Sequence, residues 1–80
     1  MVVLSTLAEL LPGESGTIRE DQPDYLPQRL LDLGFIPGGE VQCLFRSPAG
    51  EPCAYLVRAT IVALRREDSQ RILVEKGAKK

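Results

Sequence analysis

The spacing of hydrophobic residues changes along this chain and predicts a short helix followed by a strand-rich region. Leu26, Leu30 and Leu33 recur at helical spacing and predict one apolar stripe on a helix of about two turns. Gly34 follows at once and predicts the end of that helix, with Phe35 packing back on Leu30 as in a Schellman motif. A helix this short is unstable alone, so we expect tertiary contacts to hold its leucines.

The residues after the helix predict a tight turn and then a strand. The segment Ile36-Pro37-Gly38-Gly39 fits a type II turn, because Pro presets the second position and Gly accepts the positive φ of the third. From Glu40 the period becomes two, which is typical of a strand. Alternation predicts Val41, Cys43 and Phe45 on one face and Gln42, Leu44 and Arg46 on the other.

Short apolar runs predict the remaining elements. In order these are a helical turn or two within Ser5–Leu11, a strand at Gly16–Glu20, a helix start capped by Asp24 with Pro27 in its first turn, strands at Cys53–Arg58 and Thr60–Arg66, a helical turn at Glu67–Arg71, and a strand at Ile72–Val74. Five short strands most economically close into a barrel, which removes exposed edges. We therefore predict a mainly β fold, a small SH3-like β-barrel of about five strands with one short inserted helix. It forms a single domain over residues 1–75, with a disordered tail at 76–80.

The net charge argues against one class of partner, and the first residues of the chain argue against secretion or membrane insertion. Ten basic and eleven acidic residues give a net charge of −1, which argues against a nucleic-acid-binding surface. The first residues contain neither a basic segment before an apolar run nor an uninterrupted apolar stretch, so no signal peptide or membrane span is expected. We expect a cytoplasmic protein that does not insert into the membrane.

The two cysteines are predicted to be buried thiols without a disulfide between them. A hairpin loop centred on Ala49 pairs Cys43 with Tyr55 and Phe45 with Cys53, which makes the cysteines diagonal neighbours. Diagonal Cα atoms lie about 7–8 Å apart, beyond the roughly 4.4–6.8 Å of a relaxed disulfide. A register shift of one loop residue would remove this geometry.

Candidate chemistry is sparse. The chain has no histidine, so it lacks the commonest general base and the commonest transition-metal ligand, and its serines have no visible base partner. Cys43 and Cys53 would need two further ligands to hold a soft metal. We expect no enzyme activity, no cofactor and at most weak transition-metal binding, with solvated carboxylates at Asp21, Asp24, Asp32 and Glu40.

The last third of the chain is locally basic. Strand alternation is expected to project Arg65 and Arg66 from opposite faces, which argues against one nucleic-acid groove. Most of these cations are expected to be solvated, and the alternative is that they pair with an acidic partner surface. The set comprises Arg58, Arg65, Arg66, Arg71 and Lys76.

Four segments in the right order resemble the FeoA family, the small cytosolic proteins of bacterial ferrous-iron transport. They are LLPGESGTI at Leu10–Ile18, RLLDLGFIPGGEV at Arg29–Val41, SPAGEP at Ser47–Pro52 and IVALRREDSQRI at Ile61–Ile72. Two features depart from the family pattern: Ala59 stands where the family tends to place a glycine between strands, and the Cys43 and Cys53 pair is not part of that pattern.

The resemblance implies a non-enzymatic accessory or regulatory protein that docks on the cytosolic part of the FeoB-type ferrous iron transporter, and so lies at the inner face of the membrane. Phe35 and Ile36 sit between a helix end and a tight turn, where one can fill the barrel end while the other stays exposed. An unpaired barrel edge or this apolar turn is also compatible with a weak homo-oligomer. The expected partner-binding residues are Arg29, Leu33, Phe35, Ile36, Pro37, Gly50, Glu51 and Pro52.

A second interpretation is an SH3-like peptide-binding regulatory module. The same small barrel resembles the C-terminal domain of iron-dependent repressors, and SH3-like barrels can hold proline-rich segments in aromatic grooves. On this interpretation the groove would be lined by Tyr25, Phe35, Phe45 and Tyr55.

Overall fold

Antiparallel strands dominate the fold, as the sequence predicts. The computed structural model describes residues 3–22, 26–49 and 51–76. In these ranges the elements are β1 Val3–Thr6, a 3₁₀ turn Leu7–Glu9, β2 Ser15–Ile18, α1 Gln28–Leu33, β3 Glu40–Arg46, β4 Cys53–Val57, β5 Thr60–Leu64, α2 Arg66–Ser69 and β6 Leu73–Lys76. The strands form one sheet in the order β1-β6-β2-β3-β4-β5, and every neighbouring pair is antiparallel.

The first strand is an element that the sequence did not predict. Val3–Thr6 pairs with β6, whose Lys76 lies opposite Val3, and only Leu7–Glu9 is helical within the predicted Ser5–Leu11 segment. The described ranges thus contain six strands rather than about five. A long-range partner decides the conformation here, because an isolated four-residue segment has too little local preference to do so.

The end of α1 forms as predicted. Gly34 has φ 115°, the N–H of Phe35 donates to the Leu30 carbonyl at 3.1 Å, and the N–H of Gly34 donates to the Leu31 carbonyl at 3.0 Å. These two bonds are those of a Schellman motif. The predicted apolar stripe is wrong at its last position, since Leu33 is 42% exposed. The predicted start of the helix is also corrected, because α1 begins at Gln28 with Pro27 at its N-cap position rather than within its first turn. Asp24, the predicted cap, lies outside the described residues.

The turn after α1 is also confirmed. The N–H of Gly39 donates to the Ile36 carbonyl at 2.9 Å, and Gly38 has φ 89°. These are the closing bond and the positive φ that a type II turn needs at its third residue. The turn leads directly into β3 at Glu40.

A β-bulge corrects the predicted hairpin register. Cys43 pairs with Tyr55 as expected, but Phe45 then pairs with Ala54, and Cys53 with Arg46. The extra residue reverses the side on which Phe45 projects, and its side chain is 57% exposed rather than sharing the buried face of Cys43. Both cysteines are buried, and no disulfide joins them in the described chain.

The C-terminal elements begin and end a little differently from the prediction. Strand β5 ends at Leu64, so Arg65 and Arg66 lie at the start of α2 and do not alternate across a sheet. Strand β6 is Leu73–Lys76 rather than the predicted Ile72–Val74. The rest of the predicted tail, residues 77–80, lies outside the described residues.

The core lies inside the curved sheet and is closed on one side by α1. The rings of Phe35 and Tyr55 meet edge to face with centroids 6.5 Å apart, and neither ring is exposed. Leu31 and Val62 are partly buried against this cluster. The other fully buried large side chains are Leu7, Leu10, Ile18, Leu30 and Ile72.

Candidate functional site

A bidentate ion pair fixes α1 to α2. The Arg29 guanidinium donates to the two carboxylate oxygens of Asp68 at 2.7 and 3.1 Å. The Asp68 side chain is 11% exposed and the Arg29 side chain 60% exposed. These hydrogen bonds hold the pKa of Asp68 below its usual value, since they stabilise its charged form. Arg29 therefore has a structural role, and its predicted contact with a partner stays a prediction.

The 47–52 loop is fixed to the same short helix. The Glu51 carboxylate accepts a hydrogen bond of 2.8 Å from the backbone N–H of Arg66, the first residue of α2. The loop is closed by the N–H of Ser47, which donates to the Pro52 carbonyl at 3.3 Å. Helix α2 therefore binds both Arg29, a predicted partner residue on α1, and Glu51, a predicted partner residue in the loop before β4. Gly50, also predicted, lies outside the described residues.

The turn after α1 presents the apolar part of the predicted site. Leu33 is 42% exposed and Ile36 39% exposed, and Pro37 is half-buried beside them in sequence. Phe35 is fully buried, so its predicted place on the partner surface is corrected to a place in the core. The expectation that one of Phe35 and Ile36 fills the core while the other is exposed is confirmed. We define Leu33, Ile36 and Pro37 as the turn surface.

Arg58 extends this site toward β5, and sequence reasoning missed its position. A Cβ added at Gly34 would lie 3.2 Å from Cδ of Arg58, so the arginine stem packs on the end of α1. Arg58 and Ala59 have φ 50° and 63°, the positive values of a type I′ turn between β4 and β5. The sequence does indicate a tight hairpin here, because only Arg58 and Ala59 separate the apolar run that ends at Val57 from the run that begins at Thr60.

The predicted aromatic groove does not form from the residues that the structure describes. Phe35 and Tyr55 pack on each other in the core, and burial raises the pKa of Tyr55 to about 12. Phe45 projects from the outside of the sheet. Tyr25 lies outside the described residues. The observed arrangement therefore gives no support to a peptide groove built from these four side chains.

The described residues offer limited chemistry to a ligand. Over 3–22, 26–49 and 51–76, no group of three or more His, Cys, Asp or Glu side chains could hold a metal ion. Burial raises the pKa of the Cys43 thiol, which lowers the fraction of reactive thiolate. Within the same ranges no helix has the length and hydropathy needed to cross a bilayer.

Fold and site together define a small antiparallel β domain with a hydrogen-bonded apolar turn beside a short, ion-paired helix. The sequence model of the FeoA domain matches residues 5–76. The chain therefore belongs to the FeoA domain family. No curated protein matches the sequence.

Solved FeoA structures share this fold. A FeoA of Stenotrophomonas maltophilia, described as a procaryotic SH3 domain protein in complex with zinc, is 33% identical, with a TM-score of 0.68 and 88% of each chain covered. Iron(II) transport protein A of Clostridium thermocellum is 27% identical, with a TM-score of 0.82 over 90% of this chain. Our chain spans 45% of that protein's length. The FeoA protein of Chlorobium tepidum is 25% identical, with a TM-score of 0.80, covering 92% of this chain and 71% of that one. The SH3-like fold predicted from the sequence is confirmed.

Proposed function

We propose that this protein is a non-enzymatic accessory factor of ferrous iron transport that docks on the cytosolic part of a FeoB-type transporter. Membership of the FeoA domain family supports the link to transport. So does the S. maltophilia relative, which is described as possibly acting as a ferrous iron transport activating factor. The proposal places the protein in the cytoplasm, at the inner face of the membrane through its partner.

The exposure of apolar side chains at the turn surface is the main support for docking. Leu33 and Ile36 are two large apolar side chains held exposed by a Schellman ending and a type II turn. A rigid apolar surface loses little conformational entropy on binding, which favours its use as an anchor. The other predicted partner-binding residues are Arg29, Gly50, Glu51 and Pro52, and Gly50 is assigned on sequence alone.

Docking can alter transport only if it favours one state of the transporter. A ligand with equal affinity for every conformation shifts no equilibrium, however tightly it binds. We therefore propose that the turn surface recognises a cytosolic conformation that exists during only part of the transport cycle. Neither catalysis nor a bound cofactor is required for this role.

Substitutions at the turn surface test the proposal without disturbing the core. Ile36→Glu places a charge on a side chain that is already 39% exposed, so the fold should persist while apolar docking is lost. Leu11→Glu is the matched control, because Leu11 is 55% exposed on a different turn. Affinity for the purified cytosolic part of the transporter is measured by titration calorimetry, with far-UV circular dichroism to verify folding.

A loss of at least tenfold for Ile36→Glu, with Leu11→Glu binding like the parent, is the expected result. Equal binding by both folded variants would show that the turn surface is not the docking site. Arg29→Glu and Phe35→Ala are unsuitable for this test, because Arg29 pairs with the buried Asp68 and Phe35 lies in the core.

A further inference from the structure

Strand β5 ends the sheet order and carries none of the usual devices that protect an edge. It pairs with β4 from Thr60 to Leu64. In the described part of the chain, no backbone hydrogen bond links it to any other segment. Edge strands of stable monomers are usually guarded by a charge, a proline or a bulge within the strand. The sequence Thr-Ile-Val-Ala-Leu has no charge or proline, and its ladder with β4 is regular.

The outer face of the same strands is largely apolar. Register aligns Phe45, Ala54 and Ala63 in one row across β3, β4 and β5. In the next row Leu56 and Ile61 lie beside Gln42, the one polar residue of these two rows. Phe45 is 57% exposed and Ile61 67% exposed, the highest value among the exposed large hydrophobic side chains of the described residues. We call the five apolar residues together with the free side of β5 the β5 edge surface. A strand added beside β5 would continue the ladder and shield part of this face.

The charged residues at the two ends of β5 indicate which sequence a partner strand added beside β5 would have. Arg58 lies just before β5, and Arg65 and Arg66 lie just after it, and all three are exposed. Beside Leu56 and Arg58 the outer face has an open depression of about 350 Å³. Glu40 lines the same depression, and Glu51 accepts a hydrogen bond from the backbone N–H of Arg66. An incoming strand would therefore meet three arginines and fewer carboxylates at the ends of β5, with apolar side chains between them.

We propose that the β5 edge surface binds an extended segment of a partner protein by strand addition, and that this segment has an apolar centre and acidic residues at both ends. A second copy of this chain fits poorly. Antiparallel pairing of β5 with itself, centred on Val62, would bring Arg58 of each copy toward Arg65 and Arg66 of the other. Like charges facing each other across strands are destabilising. The β5 edge surface and the turn surface have no residue in common, although Arg58 lies between them, so the inference does not depend on the proposed function.

Synthetic peptides provide the probe. The first has alternating valine and threonine between an Asp-Glu pair at each end, and the second has Lys-Lys pairs instead. Binding is followed by amide chemical shifts of the ¹⁵N-labelled protein. The amides of Thr60–Leu64 should shift saturably and gain exchange protection, and the acidic peptide should bind about fivefold to tenfold more tightly than the lysine peptide.

Matched variants locate the site. Ile61→Lys adds a charge to a side chain that is 67% exposed on β5, and it should abolish the shifts. Leu4→Lys makes the same change on β1, the other end of the sheet, where Leu4 is 53% exposed, and it should bind like the parent. Ile36→Glu, at the turn surface, should also bind like the parent.

Three results would overturn the inference. One is the absence of β5 shifts with a saturating excess of acidic peptide, and another is equal affinity for the two peptides. The third is a dimer of the parent protein, detected by light scattering and abolished by Ile61→Lys, which would make a second copy the occupant of the edge.

Discussion

The type I′ turn between β4 and β5 contains no glycine, and replacing Ala59 with glycine should stabilise the fold. Ala59 has φ 63°. An L-residue with a side chain pays roughly 1–2 kcal/mol in this left-handed region. Glycine avoids that strain, but it gives the unfolded chain more conformational freedom, which lowers the free energy of unfolding by about 0.4–1 kcal/mol. The net expectation for Ala59→Gly is a gain of about 0.5–1 kcal/mol, and about 2–8 °C in Tm for a domain of this size.

Thermal unfolding followed by circular dichroism measures this gain, with Ala49→Gly as the control. Ala49 is exposed in the loop between β3 and β4, and it is not among the described non-glycine residues with positive φ. Glycine there should only add entropy to the unfolded state and lower Tm. If Ala59→Gly lowers Tm as much as Ala49→Gly does, the strain argument is refuted.

Three buried side chains, those of Asp68, Cys43 and Phe35, give further predictions about stability and reactivity. Asp68→Asn should cost about 1–2 kcal/mol in urea unfolding at pH 7, because it removes the carboxylate that binds Arg29. The pKa of Asp68 is lower in the folded state than in the unfolded state, where it is near 4. The carboxylate therefore adds to the free energy of unfolding above that pH, and this stabilisation is lost as the pH falls. Asp68→Asn lacks the group, so its stability should decline less steeply on acidification than that of the parent. Cys43 should react with iodoacetamide much more slowly in the native protein than in urea, as measured by mass, and equal rates would contradict its burial and raised pKa. Phe35→Leu should lower the free energy of unfolding by about 1–2 kcal/mol, yet leave docking unchanged, because Phe35 has no exposed surface.

The parts of the fold set by local chemistry could be predicted from the sequence. Gly34, Phe35 and the Ile36–Gly39 turn each follow from backbone preferences that act within a few residues. The start of β3 and the pairing of Cys43 with Tyr55 follow from the period of two and the hairpin. The turn surface lies in this same stretch, so its backbone could be predicted, whereas the exposure of Leu33 and the burial of Phe35 depend on packing against distant residues.

The parts set by distant contacts could not be predicted in this way. Strand β1 exists because β6 pairs with it, and nothing local to residues 3–6 requires that pairing. The bulge that exposes Phe45 adds one residue to β3 without a glycine or proline to mark it. The bond between Arg29 and Asp68 joins residues 39 positions apart, and spacing along the chain carries no sign of it.

Co-purification of the transporter from detergent-solubilised membranes tests whether the turn surface docks on a FeoB-type transporter. Cells are grown under iron limitation with the tagged parent protein, Ile36→Glu or the control Leu11→Glu at equal levels. We expect the FeoB-type transporter to be recovered in stoichiometric amounts with the parent and with Leu11→Glu, and to be lost with Ile36→Glu. Recovery of the transporter with all three proteins would contradict the assignment of the turn surface, and recovery with none would contradict the docking role itself.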